Sequence, residues 1–316
     1  MSRIPSLPAA PVDALRPSLL QTLAGGRNAV VCAPPGAGKS SRIPIWLLDA
    51  DWRRDSKVLL LEPRRVAARA LARYAARLLG EDVGGLVGYR MRQESAVSAA
   101  TRLEVVTEGV LTRLLQQDPA LPGVCCILFD EFHERSLQAD LGLALSLESR
   151  ALLRPDLRLV AMSATLDADG VAALLGNCPT LRCEGQSYPV ETRYLPPPPD
   201  AAGMPALLRH TAAVIRRALQ AEQGSLLVFL PGTAEIARVA EELEGNVPPD
   251  TDVHALHGRL KSAEQDAAIA PAAEGRRKVV LTTSIAETSL TIEGIRIVVD
   301  TGLCRRPRWD TAADMA

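Results

Sequence analysis

Aromatic side chains are scarce: Phe, Trp and Tyr together make up 3% of the 316 residues. Phe129 and Phe229 fall inside apolar runs that read as strands, where core packing accounts for them, so a surface built of stacked rings is excluded. Excess charge is also lacking. The 36 Lys and Arg nearly balance 37 Asp and Glu, giving a formal net charge of −1, so any polyanionic partner has to be met by a local basic cluster. The six cysteines form no framework: Cys125 and Cys126 are adjacent in an apolar run, and Cys178 and Cys183 have no His or second Cys pair to complete a zinc site. No uncharged apolar run is long enough to span a bilayer, and the proline-broken opening MSRIPSLPAAPVDALRPSLL lacks the core of a secretory signal. A cytoplasmic protein with no membrane partner is expected. Length and an ordinary 47% hydrophobic content suit two domains with cores of their own.

What is present centres on APPGAGKS, Ala33 to Ser40. It follows the apolar run Ala29 to Ala33 and leads into a segment able to continue as a helix. A Gly-rich loop placed so aims its backbone amides, and the N-terminus of the helix, at an anion. Pro35, Gly36, Ala37, Gly38, Lys39 and Ser40 are the candidate nucleotide-binding residues. Gly36 and Gly38 permit a partly left-handed backbone. Lys39 can reach the β- and γ-phosphates, and the Ser40 hydroxyl can ligate Mg²⁺. The first position of the pattern is Ala33 rather than Gly.

KVLLLEP (57–63) reads as a buried strand, followed by the helix RRVAARALARYAARLLG with Gly80 as its stop. Strand and helix then alternate through RLEVVT, TEGVLTRLLQQ, VCCILF (124–129) and LRLVAM (157–162), the pattern of a parallel α/β sheet. Arg69, Arg73 and Arg77, four apart, read as a solvated helix face. Arg64 and Arg65 instead stand where a strand end meets a helix, the rim at which open α/β sheets bind ligands. The run VCCILF delivers Asp130 and Glu131 to its C-terminal tip. Asp130 can hold Mg²⁺ through its water shell, and Glu131 can orient and deprotonate an attacking water. With the upstream phosphate loop, these acids point to ATP hydrolysis. PPPPD (196–200) is the clearest composition break, and the boundary is placed near residue 187: a first domain 1–186 and a second 187–316. The second repeats the alternation through SLLVFL, TAEIARVAEELEG, VHAL, KVVLTT and IRIVVD without a phosphate loop, which suggests ATP at the domain interface.

APPGAGKS, LEPRRVAARALA, TEGVLTR, DEFHERS, SAT, VFLPGTAEI and TTSIAETSLTIEGIRIVVDTG stand in the order of the motifs of superfamily 2 DEAH-box helicases. The chain resembles the bacterial HrpB-type branch, its box reading DEFH where the family at large has DEAH. The resemblance implies a P-loop NTPase fold of two RecA-like parallel-sheet domains, the second incomplete here, with ATP and Mg²⁺ as cofactors and single-stranded RNA as partner. It implies that His133, Ser163 and Thr165 couple phosphate state to domain closure. Arg64, Arg65, Arg92, Thr107, Glu108 and Gly109 would hold RNA from the first domain, and Thr283 and Ser284 from the second. Ser289, Thr291 and Glu293 would approach the nucleotide. Ser284 stands where the family usually has Asn, and Glu293 where Asp is commoner. Arg73 is a further candidate, against the adenine.

With so few rings, grip on RNA should come from the sugar-phosphate backbone, giving sequence-tolerant, salt-sensitive binding. The family pattern continues with QRxGRxGR, whose arginines reach the γ-phosphate, and the sequence stops at Ala316 before it. The expectation is an ATP-dependent RNA helicase core that binds nucleotide but hydrolyses it weakly. A DNA translocase of the same superfamily and a nucleotide-regulated nucleic-acid-binding module without useful catalysis are the alternatives.

Overall fold

The computed structural model describes residues 5, 7–164, 168–185, 189–197, 203–287 and 290–305. The chain forms two compact units, Met1–Tyr188 and Pro189–Ala316. The boundary expected at 187 lies outside the described residues.

In chain order the first unit comprises α1 (Arg16–Ala24), β1 (Ala29–Cys32), α2 (Lys39–Leu48), β2 (Lys57–Leu61), α3 (Arg65–Leu78), β3 (Val87–Met91), β4 (Glu94–Ala96), β5 (Leu103–Val106), α4 (Glu108–Gln117), β6 (Val124–Phe129), α5 (Leu137–Leu152), β7 (Arg158–Ser163), α6 (Asp169–Leu174) and β8 (Thr180–Arg182). Its eight strands run in the order β4-β3-β5-β2-β6-β7-β1-β8. All pairings are parallel except β3 with β4, a hairpin at the edge. β1, β5 and β6 are buried along their whole length. That is why they read as unbroken apolar runs: helices cover both faces of the sheet and leave no solvated side to alternate toward. Two apolar clusters, one around Val31, Ile43 and Leu60 and one around Val30, Phe129 and Leu159, hold neighbouring strand residues on opposite faces.

α3 buries Val66, Ala67, Ala68, Ala72, Ala75 and Ala76, a stripe of small residues at helical spacing that brings the helix close to the sheet. It ends as expected at Gly80, at φ +72°, where the amides of Gly80 and Glu81 donate to the carbonyls of Arg77 and Ala76. The solvated face expected of it is corrected at one position. Arg69 is 4% exposed, turned inward toward the β3–β4 hairpin that the sequence reading did not resolve, whereas Arg77 is exposed. Gly88 makes that hairpin possible, since an added Cβ would lie 2.4 Å from the carbonyl oxygen of Ala96.

The second unit contains α7 (Gly203–Ala221), β9 (Ser225–Phe229), α8 (Thr233–Leu243), β10 (Thr251–Leu256), α9 (Ser262–Ile269), β11 (Arg277–Thr282) and β12 (Ile295–Asp300). Its sheet is parallel throughout, in the order β10-β11-β9-β12, over a core that includes Ile215, Val228, Val239 and Leu281. Two RecA-like units, as expected, are therefore present. None of the described helices is long and apolar enough to cross a membrane.

Candidate functional site

Parallel strands all end at one rim, and in the first unit that rim gathers the candidate residues. β1 ends in the phosphate loop, β2 in Glu62-Pro63-Arg64, β5 in Thr107, β6 in Asp130-Glu131, and β7 runs through Ser163.

Gly36 and Gly38 take φ of +77° and +94°, a left-handed backbone that lets α2 begin at Lys39 with free amides turned outward. The loop is braced from the N-terminal side: the amide of Val12 donates to the carbonyl of Ala37, and Arg42 binds the carbonyl of Pro8. Lys39 is 5% exposed, and its Nζ donates to the carbonyls of Ala33 at 2.6 Å and Pro34 at 3.4 Å. The loop's own oxygens thus hold an ammonium whose position suits phosphate oxygens.

Asp130 is 4% exposed. One carboxylate oxygen accepts the amide of Glu131 at 2.9 Å, and the nearby Ser40 side chain favours the charged form of the carboxylate. Its Oδ2 is buried without a hydrogen-bond partner. Burial, reinforced by the neighbouring Glu131 charge, pushes its carboxyl up to about 6. A buried, unpaired carboxylate oxygen beside a serine hydroxyl is what a hard cation would satisfy. No cluster of three or more His, Cys, Asp or Glu among the described residues forms a metal cage. Mg²⁺ needs none, since it is commonly held by one or two carboxylates together with substrate phosphates and water. The residues fit it.

Glu131 adopts φ +47°, a left-handed conformation that costs a non-glycine residue about 1–2 kcal/mol. Burial raises its carboxyl, opposed by Lys39. His133 lies 3.4 Å from it through Nδ1, but that nitrogen also accepts the amide of Ala164 at 3.3 Å. Burial holds the imidazole below its ordinary value. With Nδ1 accepting, the ring is neutral with its proton on Nε2, and the approach to Glu131 is not an ion pair. Ser163 is buried, and its carbonyl accepts the amide of Ala33 at the start of the phosphate loop. One side-chain and one backbone hydrogen bond therefore join the His133 imidazole, the strand end at 163–164 and the phosphate loop. Thr165 lies outside the described residues.

The expected RNA contacts of this unit divide. Arg64 pairs with Glu134 at 3.4 Å. Arg65 is exposed, 3.5 Å from the carbonyl of Arg92 and 3.8 Å from Glu94. Glu108 accepts the Ser136 hydroxyl at 2.6 Å, which in turn caps α5 by accepting the amide of Ala139, so this carboxylate ties α4 to α5. Arg92, Thr107 and Gly109 line one cleft of about 620 Å³ between the hairpin turn and α4. In the second unit Thr283 and Ser284 follow the end of β11, Ser284 exposed, and Thr291 and Glu293 are exposed before β12. Ser289 is outside the described residues.

Sequence reasoning missed Glu94. It accepts from Arg69 at 3.1 Å and from the Tyr89 hydroxyl at 2.8 Å, joining the hairpin to α3. Burial pushes its carboxyl up, but Tyr89 and Arg69 outweigh this and hold it below the ordinary range. The alternation of Val87, Tyr89 and Met91 was the available signal for this strand.

Residues 16–174 match the DEAD/DEAH box helicase family, and residues 209–315 match the helicase conserved C-terminal domain. The chain is 51% identical over 300 residues to the ATP-dependent RNA helicase HrpB of Escherichia coli (strain K12), covering 95% of this chain and 36% of that protein. It is 36% identical over 316 residues to the pre-mRNA-splicing factor ATP-dependent RNA helicase prp22 of Schizosaccharomyces pombe, covering 96% of this chain and 26% of the relative. The crystal structure of the Escherichia coli DEAH/RHA helicase HrpB superposes with a TM-score of 0.86 at 50% identity, over 96% of this chain and 38% of that one. The chain thus spans between 26% and 38% of the length of these relatives.

Proposed function

Because the chain belongs to the DEAD/DEAH box helicase family, we propose that it is the nucleotide-binding core of an ATP-dependent RNA helicase, acting on single-stranded RNA in the cytoplasm. The observation that carries the reading is the unpartnered Oδ2 of Asp130, buried beside Ser40 and next to Glu131.

The amide of Lys39, which follows Gly38 at the start of α2, and the ammonium of Lys39 hold the phosphates, Lys39 exchanging the carbonyls of Ala33 and Pro34 for β- and γ-oxygens. Ser40 and, through water, Asp130 would hold Mg²⁺, which neutralises charge on the transferring phosphoryl group when bound. Glu131 accepts the proton of the attacking water; its raised carboxyl brings its basicity nearer to that task. His133, neutral, reports through Ala164 and Ser163 to the strand end beside the phosphate loop. Ser289, Thr291 and Glu293 would meet the nucleotide from the second unit. Arg64, Arg65, Arg92, Thr107, Glu108 and Gly109, with Thr283 and Ser284, hold the RNA; for Glu108 that role is through its backbone and its tie to Ser136.

Steady-state ATP hydrolysis by the wild type and Glu131→Gln tests the assignment. Loss of a general base costs about 10²- to 10⁴-fold in rate, with nucleotide affinity retained. Equal turnover in the two proteins would contradict it.

A further inference from the structure

Residues 7–15 precede α1 and pack against the phosphate loop. Val12 is fully buried, and Leu7, Ala10 and Leu15 pack against the same apolar cluster, which anchors this stretch to the core. Within it Ala10 and Asp13 exchange two hydrogen bonds: the Ala10 amide donates to Asp13 Oδ2 at 2.7 Å, and the Asp13 amide donates to the Ala10 carbonyl at 2.9 Å. The turn so closed opens the 3₁₀ segment Pro11–Leu15 and presents the amide of Val12 to the carbonyl of Ala37 at 3.1 Å. That bond fixes a peptide plane. The carbonyl of Ala37 and the amide of Gly38 belong to one trans peptide, so they point in opposite directions. Drawing the carbonyl toward residues 7–15 turns the Gly38 N–H away from them, and in a phosphate loop it is such amides that an anion meets. Gly38 has no side chain to steady the plane, and glycine at φ +94° has many other conformations open to it. The restraint comes from outside the loop.

Arg42 supplies the second hold. It stands at the end of the first turn of α2 and is 8% exposed, with its guanidinium bound to the carbonyl of Pro8. Its Cγ and the side chains of Ala10 and Val12 lie 3.2–3.4 Å from where a Cβ on Gly38 would be, so α2 and the preceding stretch close on that glycine together. The partner of this guanidinium is a neutral carbonyl rather than a carboxylate. A cation near the N-terminus of a helix opposes the helix dipole, and burying it without an anion adds to the cost. A polyphosphate bound over the same helix end lowers that cost.

We propose that residues 7–13 are a strap that sets the phosphate-binding backbone, with Arg42 and Asp13 as positioning residues: Arg42 ties the strap to α2 through Pro8, Asp13 closes its turn, and the Val12 amide orients the Ala37–Gly38 peptide. The Gly38 N–H thereby joins the amide of Lys39 in facing the phosphates, and neither positioning side chain touches the nucleotide. This role rests on the nucleotide-binding reading above. It places part of the affinity for ATP in a segment that carries none of the loop's own residues.

The test is calorimetric titration of ATP and of pyrophosphate into the full 316-residue chain as wild type, Arg42→Met and Asp13→Ala. Pyrophosphate reads the phosphate-binding backbone without base or sugar. Arg42→Met keeps an apolar stem and removes the donor, so affinity for both ligands is expected to fall by at least about five-fold, a share of one charge-assisted hydrogen bond, at unchanged stoichiometry. Asp13→Ala separates positioning from charge, because the two predict opposite signs. Removing an anion beside the loop would by electrostatics alone tighten phosphate binding, whereas opening the turn of the strap is expected to weaken both ligands by about two- to five-fold. Wild-type affinity for pyrophosphate in Arg42→Met, or tighter binding in Asp13→Ala, overturns the strap. So does a fall for ATP that pyrophosphate does not share, since the strap acts on the phosphates alone. A reduced stoichiometry with unchanged affinity overturns it as well, because the substitution has then cost folded protein and not the set of the backbone. Failure of the wild type to bind ATP overturns the nucleotide-binding reading itself.

Discussion

Replacing Glu94 by Ala should destabilise the first unit out of proportion to a half-buried acid. The side chain of Arg69 is 5% exposed and that of Glu94 28% exposed, at 3.1 Å. Removing the carboxylate leaves a buried guanidinium without this anion, a loss of about 3–5 kcal/mol when both partners are fully buried. It also strands the Tyr89 hydroxyl, which donates to Glu94 at 2.8 Å. The partial exposure of Glu94 lets water replace some of the lost interaction, so a cost of about 2–4 kcal/mol is expected. For a unit of this size each kcal/mol lowers the melting midpoint by about 2–4 °C, giving a fall of roughly 5–15 °C. Trp46 and Trp52 both lie in the first unit, and Trp46 is buried, so their fluorescence reports its unfolding. The informative comparison is a double-mutant cycle. Arg69→Met removes the buried charge and keeps the apolar stem, so Arg69→Met/Glu94→Gln should be less destabilised than the sum of its single variants, with a coupling of about 1–3 kcal/mol. Strict additivity, or a Glu94→Ala cost below about 0.5 kcal/mol, would refute the claim that this pair pins the hairpin to α3.

Gly38→Ala forces a side chain into φ +94° and sets its Cβ 3.2 Å from both the Ala10 Cβ and the Arg42 Cγ. The left-handed backbone alone costs about 1–2 kcal/mol, so nucleotide affinity measured calorimetrically should fall by at least tenfold, as the loop relaxes to relieve the strain. In the second unit, burial holds the ammonium of Lys278 down to about 8 from 10.5, while its Nζ donates to the carbonyls of Ala268 and Ala270. Between these two values the unfolded chain binds more protons than the folded one, so stability rises with pH across that window, the full cost of the buried charge remaining below about 8. Denaturant midpoints followed by circular dichroism should therefore increase from pH 8 to 10 in the wild type, and Lys278→Met should flatten the increase. RNA affinity should fall linearly with salt on logarithmic axes, and Arg65→Ala should reduce the steepness by about 0.7, the share of one phosphate contact on a single strand.

The phosphate loop and the acids at the tip of β6 were legible because their chemistry is local: a left-handed glycine pair, a lysine and two carboxylates are fixed by neighbours in sequence. The buried parallel strands were equally plain, since an element covered on both faces reads as an unbroken apolar run. Arg69 was misread because helical spacing gives a face but not what covers it. The covering element, the hairpin at 87–96, is short, and its alternation of Val87, Tyr89 and Met91 spans only five residues. Glu108 shows the same limit. Its place in TEGVLTR gives no sign that its carboxylate serves Ser136, which is reached only when α4 and α5 pack together. The strained backbone of Glu131 and the neutral imidazole of His133 are likewise tertiary facts, set by the burial of the β6 end and by the amide of Ala164.

The central claim is that Asp130 and Ser40 complete a cation site over the phosphate loop. Calorimetric titration of ATP into the wild type and into Asp130→Asn, each with and without Mg²⁺, tests it most directly. The account expects Mg²⁺ to tighten ATP binding in the wild type and to have little effect in the variant, whose amide no longer leaves a buried anionic oxygen for the cation to satisfy. The same gain from Mg²⁺ in both proteins would contradict it.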